Sequence, residues 1–345
     1  MPARALSQTC NCQLPGTNYH MDLYPLLLLP EFSPRPWGAT DLSPIYTGRK
    51  FAEKIGESWL TGDECRVANG PLAGQRLADL AERFGRDLVG DAAREAKRFP
   101  LLLKFLFPHD KLSVQVHPDD ACAQRAGQPW GKTECWYVLH AEKGAQVALG
   151  LKPGITREQL RQAIQETRAE ELLNWIDIHS GEMIYVAGGT VHAIAPGSIL
   201  VETQQSSDTT YRLYDYGRPR PLHLEQGLQA VKEETGSGKV KSPSANGWQR
   251  QELIAAPFFV VEKYTLREAR EFSTVEEERR LVEILVAING CGVLESEAAP
   301  PVTFAPGEAV VVPACLGNFR VRPQWSVELL RARVPAHARP EPAVI

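Results

Sequence analysis

Gln115 and His117 stand two apart in KLSVQVHPDD (residues 111–120), an alternating segment that reads as a strand. Residues i and i+2 of a strand project from the same face, so this amide and this imidazole point together. His192 follows a Gly-rich turn in GEMIYVAGGTVHAI (181–194), and Glu134 stands in GKTECWYVL (131–139). One amide oxygen, two imidazoles and one carboxylate suit a borderline divalent ion, zinc first. A lone histidine on a strand is more often satisfied core, but four such donors in separate strand motifs outweigh that reading. Beyond His192 a second apolar strand runs into a dense polar stretch, ETQQSSDTTYRLYDYGR (202–218), which holds Glu202, Asp208, Arg212 and Arg218. Asp208 and Arg212 are four apart, as in a helix-face ion pair. The flanking Thr209, Thr210 and Tyr211 favour a strand or turn instead.

The elements that must position these groups are short apolar runs separated by turns. Residues 26–29 read as a buried strand, followed by the Pro-rich turn PEFSPRPWG, where Trp37 either lines a pocket mouth or joins the core. Residues 55–61, 101–107, 111–117, 133–139 and 147–151 read as further strands. In LLLKFLF (101–107), Lys104 either snorkels at a strand edge or points into a polar site. Helical spacing runs over 75–98 through Leu77, Leu80, Phe84, Leu88 and Ala92, and Pro100 stops it. A second helix starts at the capping box Thr156 to Gln159 and carries Leu160, Ile164, Leu172 and Trp175; a third covers 225–234. Asp119 and Asp120 read as turn formers. His109, His140, His179 and His223 read as surface or packing residues, and Cys135, facing away from Glu134, as a core thiol.

With 345 residues the chain is long enough for two domains, and its net charge of −4 supplies no basic field for nucleic acid. Seven cysteines without framework spacing point to a reducing compartment. Cys10-Asn11-Cys12 would be half a metal site, but no second pair sits near it. The apolar run 23–29 is too short to span a bilayer, carries Pro25 and lacks the flanks of a signal peptide, so the sequence reads as cytoplasmic. Residues 1–20 have no periodicity and read as a disordered arm. Residues 21–234 form the expected metal-binding domain with helical segments, 235–247 a Gly-, Ser- and Lys-rich linker, 248–333 a second domain of short strands, and 334–345 a disordered tail. An internal echo supports a duplicated β unit. Gly181 precedes Ala187 by six and His192 by eleven, and Gly307 precedes Pro313 and Asn318 by the same steps. The second copy has an asparagine where the first has its histidine.

Gln115-Val-His117, Glu134 and the turn ending at His192 resemble the cupin metal site, carried on jelly-roll β-sandwiches. More closely, KLSVQVHPDD, GKTECWYVL, GGTVHAI and ETQQSSDTTYRLYDYGR resemble the type I mannose-6-phosphate isomerases in their short bacterial form, over roughly residues 22–331. The resemblance implies an all-β-dominated fold of two cupin-type sandwiches with a few peripheral helices, the second degenerate and without metal. It implies one zinc ion per chain, held by Gln115, His117, Glu134 and His192. It implies catalytic roles for Arg212, Asp208, Glu202 and Lys132, and substrate contacts from Trp37, Lys104, Ser113 and Arg218. The partner would be a hexose 6-phosphate, with neither nucleic acid nor membrane involved and the chain a monomer or weak homodimer. Family members usually read Pro-Ala-Gly before the last histidine. This chain has Ala187-Gly188-Gly189, a change expected to hold His192 less firmly.

The implied reaction moves one proton between adjacent carbons through an enediolate whose oxygen gathers negative charge. A Lewis-acidic ion or a nearby arginine stabilises that charge. Arg212 would serve there with Asp208 orienting it, and Ser113, Lys104 and Lys132 would meet the phosphate. Two other readings compete. A binding cupin without turnover would need neither Arg212 nor Asp208, and an iron dioxygenase favours a His-dominated, open coordination that the Gln and Glu donors fit poorly.

Overall fold

The computed structural model describes residues 23–241, 249–297 and 299–345; the expected N-terminal arm, Cys10, Cys12 and residues 242–247 of the expected linker lie outside them. Strands dominate and the helices are short. A seven-stranded antiparallel sheet runs in the order Gly238–Lys239, Met183–Val186, Glu134–Ala141, Ser198–Gln205, Leu101–Leu106, Lys50–Trp59, Glu31–Asp41. A five-stranded sheet faces it, ordered Tyr211–Tyr214, Val114–Val116, Val191–Ile194, Gln146–Leu151, Leu173–Asp177. Leu106, Trp136, Val138 and Leu200 of the first sheet meet Val147, Leu149 and Ile194 of the second, so the alternate apolar residues of both sheets seal one interior. The helices Arg157–Gln165 and Leu224–Ala230 cover the outer face of the five-stranded sheet with Leu160, Ile164 and Leu228.

A third, nine-stranded sheet is built mainly from residues after 249, around Glu283–Ser296 and Asn318–Arg333. Its interior is apolar, with Phe272 and Phe319 stacked at 5.4 Å between ring centroids and Leu285, Phe304, Val310 and Leu329 packed among the buried residues around them. The outer face of the seven-stranded sheet (Leu103, Phe105, Cys135, Tyr137, Val201) shares a core with Ile284, Val286, Val311 and Leu330 of this sheet. Cys135 therefore faces apolar core, as its position beside Glu134 predicts.

The echo seen in the sequence has a backbone counterpart. Gly181 and Gly307 take similar left-handed turns (φ 92° and 90°) before the strands Met183–Val186 and Ala309–Val312.

Several expectations about the chain are corrected. Strand Leu26–Leu29 pairs with Ala309–Val312 and Arg66–Val67, so the first strand among the described residues belongs to the third sheet, across the expected boundary. The long helix over 75–98 is instead Leu77–Phe84 and Arg86–Val89, because Gly85 and Gly90 adopt positive φ (52° and 86°). A Cβ on Gly90 would lie 2.5 Å from the Arg280 carbonyl oxygen, so glycine is needed where this segment bridges Leu281. The second helix starts at its capping box as expected but ends at Gln165, and Trp175 lies on a strand. Residues 238–239 of the expected linker form an edge strand beside Met183–Val186. The expected disordered tail is pinned to it: the Ile345 amide donates to the Lys239 carbonyl (2.9 Å) and Val344 bridges Val240. Its composition is Pro- and Ala-rich, but Val334 and Val344 pack on the shared core, and two apolar anchors suffice to fix a short segment. Among the described residues no helix is long and apolar enough to cross a membrane.

Leu26 is fully buried and paired with Val311 in the third sheet. Leu26→Ala is expected to lower the unfolding free energy by ~3 kcal/mol, the usual scale for a buried leucine. Denaturant titration checks this, and a loss below about 1 kcal/mol would show that the strand is not integral to that core.

Candidate active site and metal centre

The inward face of the seven-stranded sheet places charged groups in register. Lys104 lies opposite both Glu202 and Trp59, and Glu202 lies opposite Trp136. Two residues along their strands, Glu134 and Glu57 share that face, since strand side chains alternate. Lys104 thus points into the site; it does not snorkel to an edge, and it is 2% exposed. From the opposing sheet come Gln115 and His192, paired across neighbouring strands, and Arg212, paired with Gln115 on the other side. His117 follows directly after strand Val114–Val116.

His117, Glu134 and His192 form a buried cluster whose ligand atoms all lie within 4.8 Å of one another. His117 Nε2 is 3.4 Å from Glu134 Oε2, and His192 Nε2 is 3.6 Å from Glu134 Oε1. Both rings are oriented by backbone carbonyls: His117 Nδ1 meets the Thr209 oxygen at 3.0 Å and His192 Nδ1 meets the Thr190 oxygen at 2.9 Å. These bonds put the ring protons on Nδ1 and leave the Nε2 lone pairs aimed at the carboxylate. His117 Nε2 and Glu134 Oε2 are buried with no hydrogen-bond partner, the pattern expected of donors meant for a cation. Burial is the main cause that holds both imidazoles below their ordinary range, with His192 at about 4, so both stay neutral and able to ligate. Gln115 completes the set, its amide nitrogen 3.2 Å from His192 Nε2 and its oxygen accepting from Ser113 Oγ at 3.1 Å. A turn of the amide about its own bond presents the oxygen to the centre instead. These residues fit a metal ion.

Around this cluster the charges alternate. Lys132 Nζ lies 3.4 Å from Glu134 Oε2 and 3.9 Å from Glu202 Oε1. Lys104 Nζ lies 3.6 Å from Glu202, 3.2 Å from Asp208, 4.0 Å from Glu57 and 4.4 Å from the centre of the Trp59 ring. Burial alone would lower the Lys104 ammonium, but Glu57, Asp208 and Glu202 outweigh it and hold the pKa above the ordinary value. Burial, reinforced by the Glu134 charge and opposed by the two lysines, pushes the Glu202 carboxyl up to about 7. Asp208 is exposed at the mouth, where Lys104 and Lys132 override its desolvation and hold it below the usual range.

A cavity of about 410 Å³ opens over these groups, and its walls include Trp37, Ser113, Gln115, Lys132, Glu134 and Arg212 as well as the charges just described. Trp37 is both things the sequence allowed, a cavity wall and a 3%-exposed member of the interior core. Two expectations fail. Asp208 does not orient Arg212; its bond goes to Lys104, and Arg212 is held by the Pro221 carbonyl (2.9 Å) with its backbone braced by His223. Arg218 is not on the cavity wall. It is tied between Asp110 (2.7 Å) and Asp215 (3.2 Å), because the turn at Tyr216 and Gly217, both at positive φ, directs it away. Arg220 lines the cavity in its place, and Arg35 and Glu57 are further wall residues that sequence reasoning passed over. Glu57 had a signal, a carboxylate two from a tryptophan in the strand IGESWLT; Arg35 sits in a Pro-rich turn and had none.

The turn before His192 is not loose. Gly189 N donates to the His117 carbonyl (2.7 Å), Gly188 N to Thr133 Oγ1 (3.1 Å) and Ala187 N to Ser237 Oγ (2.9 Å). A Cβ on Gly188 would stand 2.7 Å from Asp119 Cα, so this glycine permits close approach of two backbones and adds no slack. Asp119 itself caps the helix Asp120–Arg125 by accepting from Cys122 N at 2.7 Å, the turn role expected of it.

Residues 50–150 match the model of the phosphomannose isomerase type I catalytic domain. The mannose-6-phosphate isomerase ManA of Bacillus subtilis is 33% identical over 315 residues, 87% of this chain and 96% of that protein. The chain belongs to the type I phosphomannose isomerase family. A second family relative, the mannose-6-phosphate isomerase of Streptococcus mutans, is 37% identical over 70% of this chain and 79% of its own length. The crystal structure of the Bacillus subtilis mannose 6-phosphate isomerase superposes with a TM-score of 0.78 at 30% identity, covering 89% of this chain and 99% of that one. A phosphomannose isomerase from Salmonella typhimurium matches at a TM-score of 0.72 over 90% of this chain and 99% of its own, with 18% identity, a likeness of fold. The strand-dominated, cupin-like fold expected from the sequence is the fold of this family.

The raised Glu202 carboxyl binds a proton in the folded state that the unfolded chain, at its usual 4.5, has already released. That contribution to stability is full below about pH 4.5 and is lost as pH rises through about 7. Glu202→Gln in chelator-treated protein is therefore expected to raise the thermal midpoint clearly at pH 8 and little at pH 5. An equal gain at both values would show that Glu202 is not the buried, raised carboxyl described.

Proposed function

We propose that the chain interconverts mannose 6-phosphate and fructose 6-phosphate, as the names of its relatives suggest, and does so through an enediolate with one bound zinc ion. The observation that carries the reading is the convergence of His117, Glu134 and His192 with the Glu202–Lys132 pair in one cavity of a chain that belongs to this family. Gln115, His117, Glu134 and His192 would hold the ion, and their mixed nitrogen and oxygen donors suit zinc. Zinc, when bound, supplies Lewis acidity toward the sugar oxygens.

The remaining work falls to the chain's own residues. Glu202, buried with Lys132 beside it, would take a proton from carbon and return it to the neighbouring carbon. Arg212 has a buried Nε with no partner and would stabilise charge developing on oxygen. Asp208 would hold Lys104, and Trp37 with Ser113 would shape the walls. Residues after 248 would form a metal-free supporting unit. The reading is of a cytoplasmic enzyme acting on a free sugar phosphate.

Purified protein supplied with mannose 6-phosphate is expected to form fructose 6-phosphate in a coupled assay, and a chelator to abolish the conversion until zinc is restored. Full zinc occupancy without turnover would move the reading to a binding protein. Arg212→Ala is expected to reduce kcat by about 10²-fold or more, the scale seen on removing one oxyanion donor, while metal content stays at the wild-type level. An unimpaired kcat would remove Arg212 from the mechanism.

A further inference from the structure

A second cavity, of about 280 Å³, shares no lining residue with the one over the metal cluster. The segment 92–100, Trp130, the pair Pro257-Phe258 and residues 334–338 of the tail contribute its walls. Gln205 is also part of the wall, three residues beyond Glu202 and so on the opposite face of the same strand. Its partner across the ladder, Leu101, belongs to the core shared with the third sheet, and Phe258 and Val334 pack on that core. The second cavity therefore lies on the far side of the seven-stranded sheet from the metal cluster.

Its walls decide what could occupy it. Trp130 and Phe258 are the aromatic members, and Pro100, Pro257 and Pro335 have no backbone N–H to offer. The Gln205 amide is already spent, its oxygen on Thr133 N (2.9 Å) and its nitrogen on Asp120 Oδ1 (3.0 Å). A sugar entering here would give up hydration of its hydroxyls for few partners in return. A flat apolar body loses no such bonds and gains contact with the rings. The volume is just under the ~300–1,000 Å³ usual for drug-sized ligands, so the occupant is small.

Charge narrows the choice further. The ionisable groups on the wall are Arg94, Arg279 and His337, and among the described residues no carboxylate lines it. Arg94 is matched by Asp120 at 2.7 Å and His337 by Glu277 at 2.5 Å, both from outside the cavity. The exposed Arg279 side chain has neither a hydrogen bond nor an ion pair among the described residues. Of the acids beside it in the hairpin, Glu276 is taken by Arg333 (2.8 Å) and Glu277 by His337, and the exposed Glu278 forms no ion pair with it. One cation is left unanswered at the rim of an apolar chamber, and that calls for a single negative charge.

We propose that this cavity is a second ligand site, for a small aromatic monocarboxylate that lays its ring against Trp130 and Phe258 and its charge against Arg279. The inference is independent of the reaction assigned to the first cavity.

Calorimetric titration of the full chain with naphthoate, a flat aromatic monocarboxylate, tests the site. Wild-type protein is expected to bind naphthoate about fivefold more tightly than naphthalenemethanol, the same ring without the charge. Arg279→Gln is expected to weaken naphthoate by about fivefold, the upper end for an exposed ion pair, and to leave naphthalenemethanol unchanged. Arg279→Lys is expected to recover part of the loss, since a point charge restores the attraction. An unchanged thermal midpoint in Arg279→Gln excludes unfolding as the cause. Mannose 6-phosphate is expected not to displace naphthoate, because the two cavities have separate walls. Absence of naphthoate binding in the wild type, equal binding in Arg279→Gln, or displacement by mannose 6-phosphate overturns the proposal.

Discussion

Lys104, Lys132, Glu134 and Glu202 are all 4% exposed or less, and the fold accommodates them only because each has an opposite charge within 4 Å. An isolated ion in such a place would cost several kcal/mol. The strand register creates the compensation: Glu202 beside Lys104 across one ladder, and Glu134 two residues before Trp136 on the next strand. A slip of one residue in any of these strands would turn its charges into the apolar core shared with the third sheet. The cation site and the cavity are therefore consequences of one pairing pattern, and the apolar packing on the sheet's other face, from Leu103 to Tyr137, enforces that pattern.

The third sheet shows what a similar strand-turn pattern does without such a site. Where the first interior holds ligands and lysines, this one holds Phe272, Phe304, Phe319 and their aliphatic neighbours. Its buried charges, Glu262 and Glu283, are answered by Arg331 and Arg333, with Arg333 2.7 Å from Glu262. These pairs neutralise one another with arginines whose geometry is fixed. By contrast, the metal cluster leaves a histidine nitrogen and a carboxylate oxygen without a hydrogen bond. Arg333 Nε is unpartnered too, so what marks the site is an unmet imidazole nitrogen and carboxylate oxygen converging on a common point.

Much of this was legible in the sequence. Gln115 and His117 announced a shared face by alternation, Lys104 interrupted an apolar run in a way that left a strand edge or a polar site open, and the capping box at Thr156 marked a helix start that the structure keeps. Other features depend on contacts far apart in the chain, which local pattern does not carry. Strand Leu26–Leu29 looks like any buried strand, and only its partner Val311, nearly three hundred residues away, assigns it to the third sheet. The Ala187-Gly188-Gly189 turn looked loose because backbone freedom was visible, whereas the bonds from His117, Thr133 and Ser237 that fix it were not. Arg218 and Arg220 are chemically alike in the sequence. A left-handed turn at Tyr216 and Gly217 decides which of them reaches the cavity.

The charge count of the site also explains why its pieces belong together. The cavity is lined by the carboxylates Glu57, Glu134, Glu202 and Asp208 and by the cations Lys104, Lys132, Arg35, Arg212 and Arg220. Burial and the neighbouring Glu134 charge hold the Glu202 carboxyl up at about 7 in the metal-free protein. A divalent cation held by His117, Glu134 and His192 would add positive charge beside it and draw the Glu202 carboxyl back toward its ordinary range. Loading the cation would then favour the ionised carboxylate, the form of Glu202 that can accept a proton.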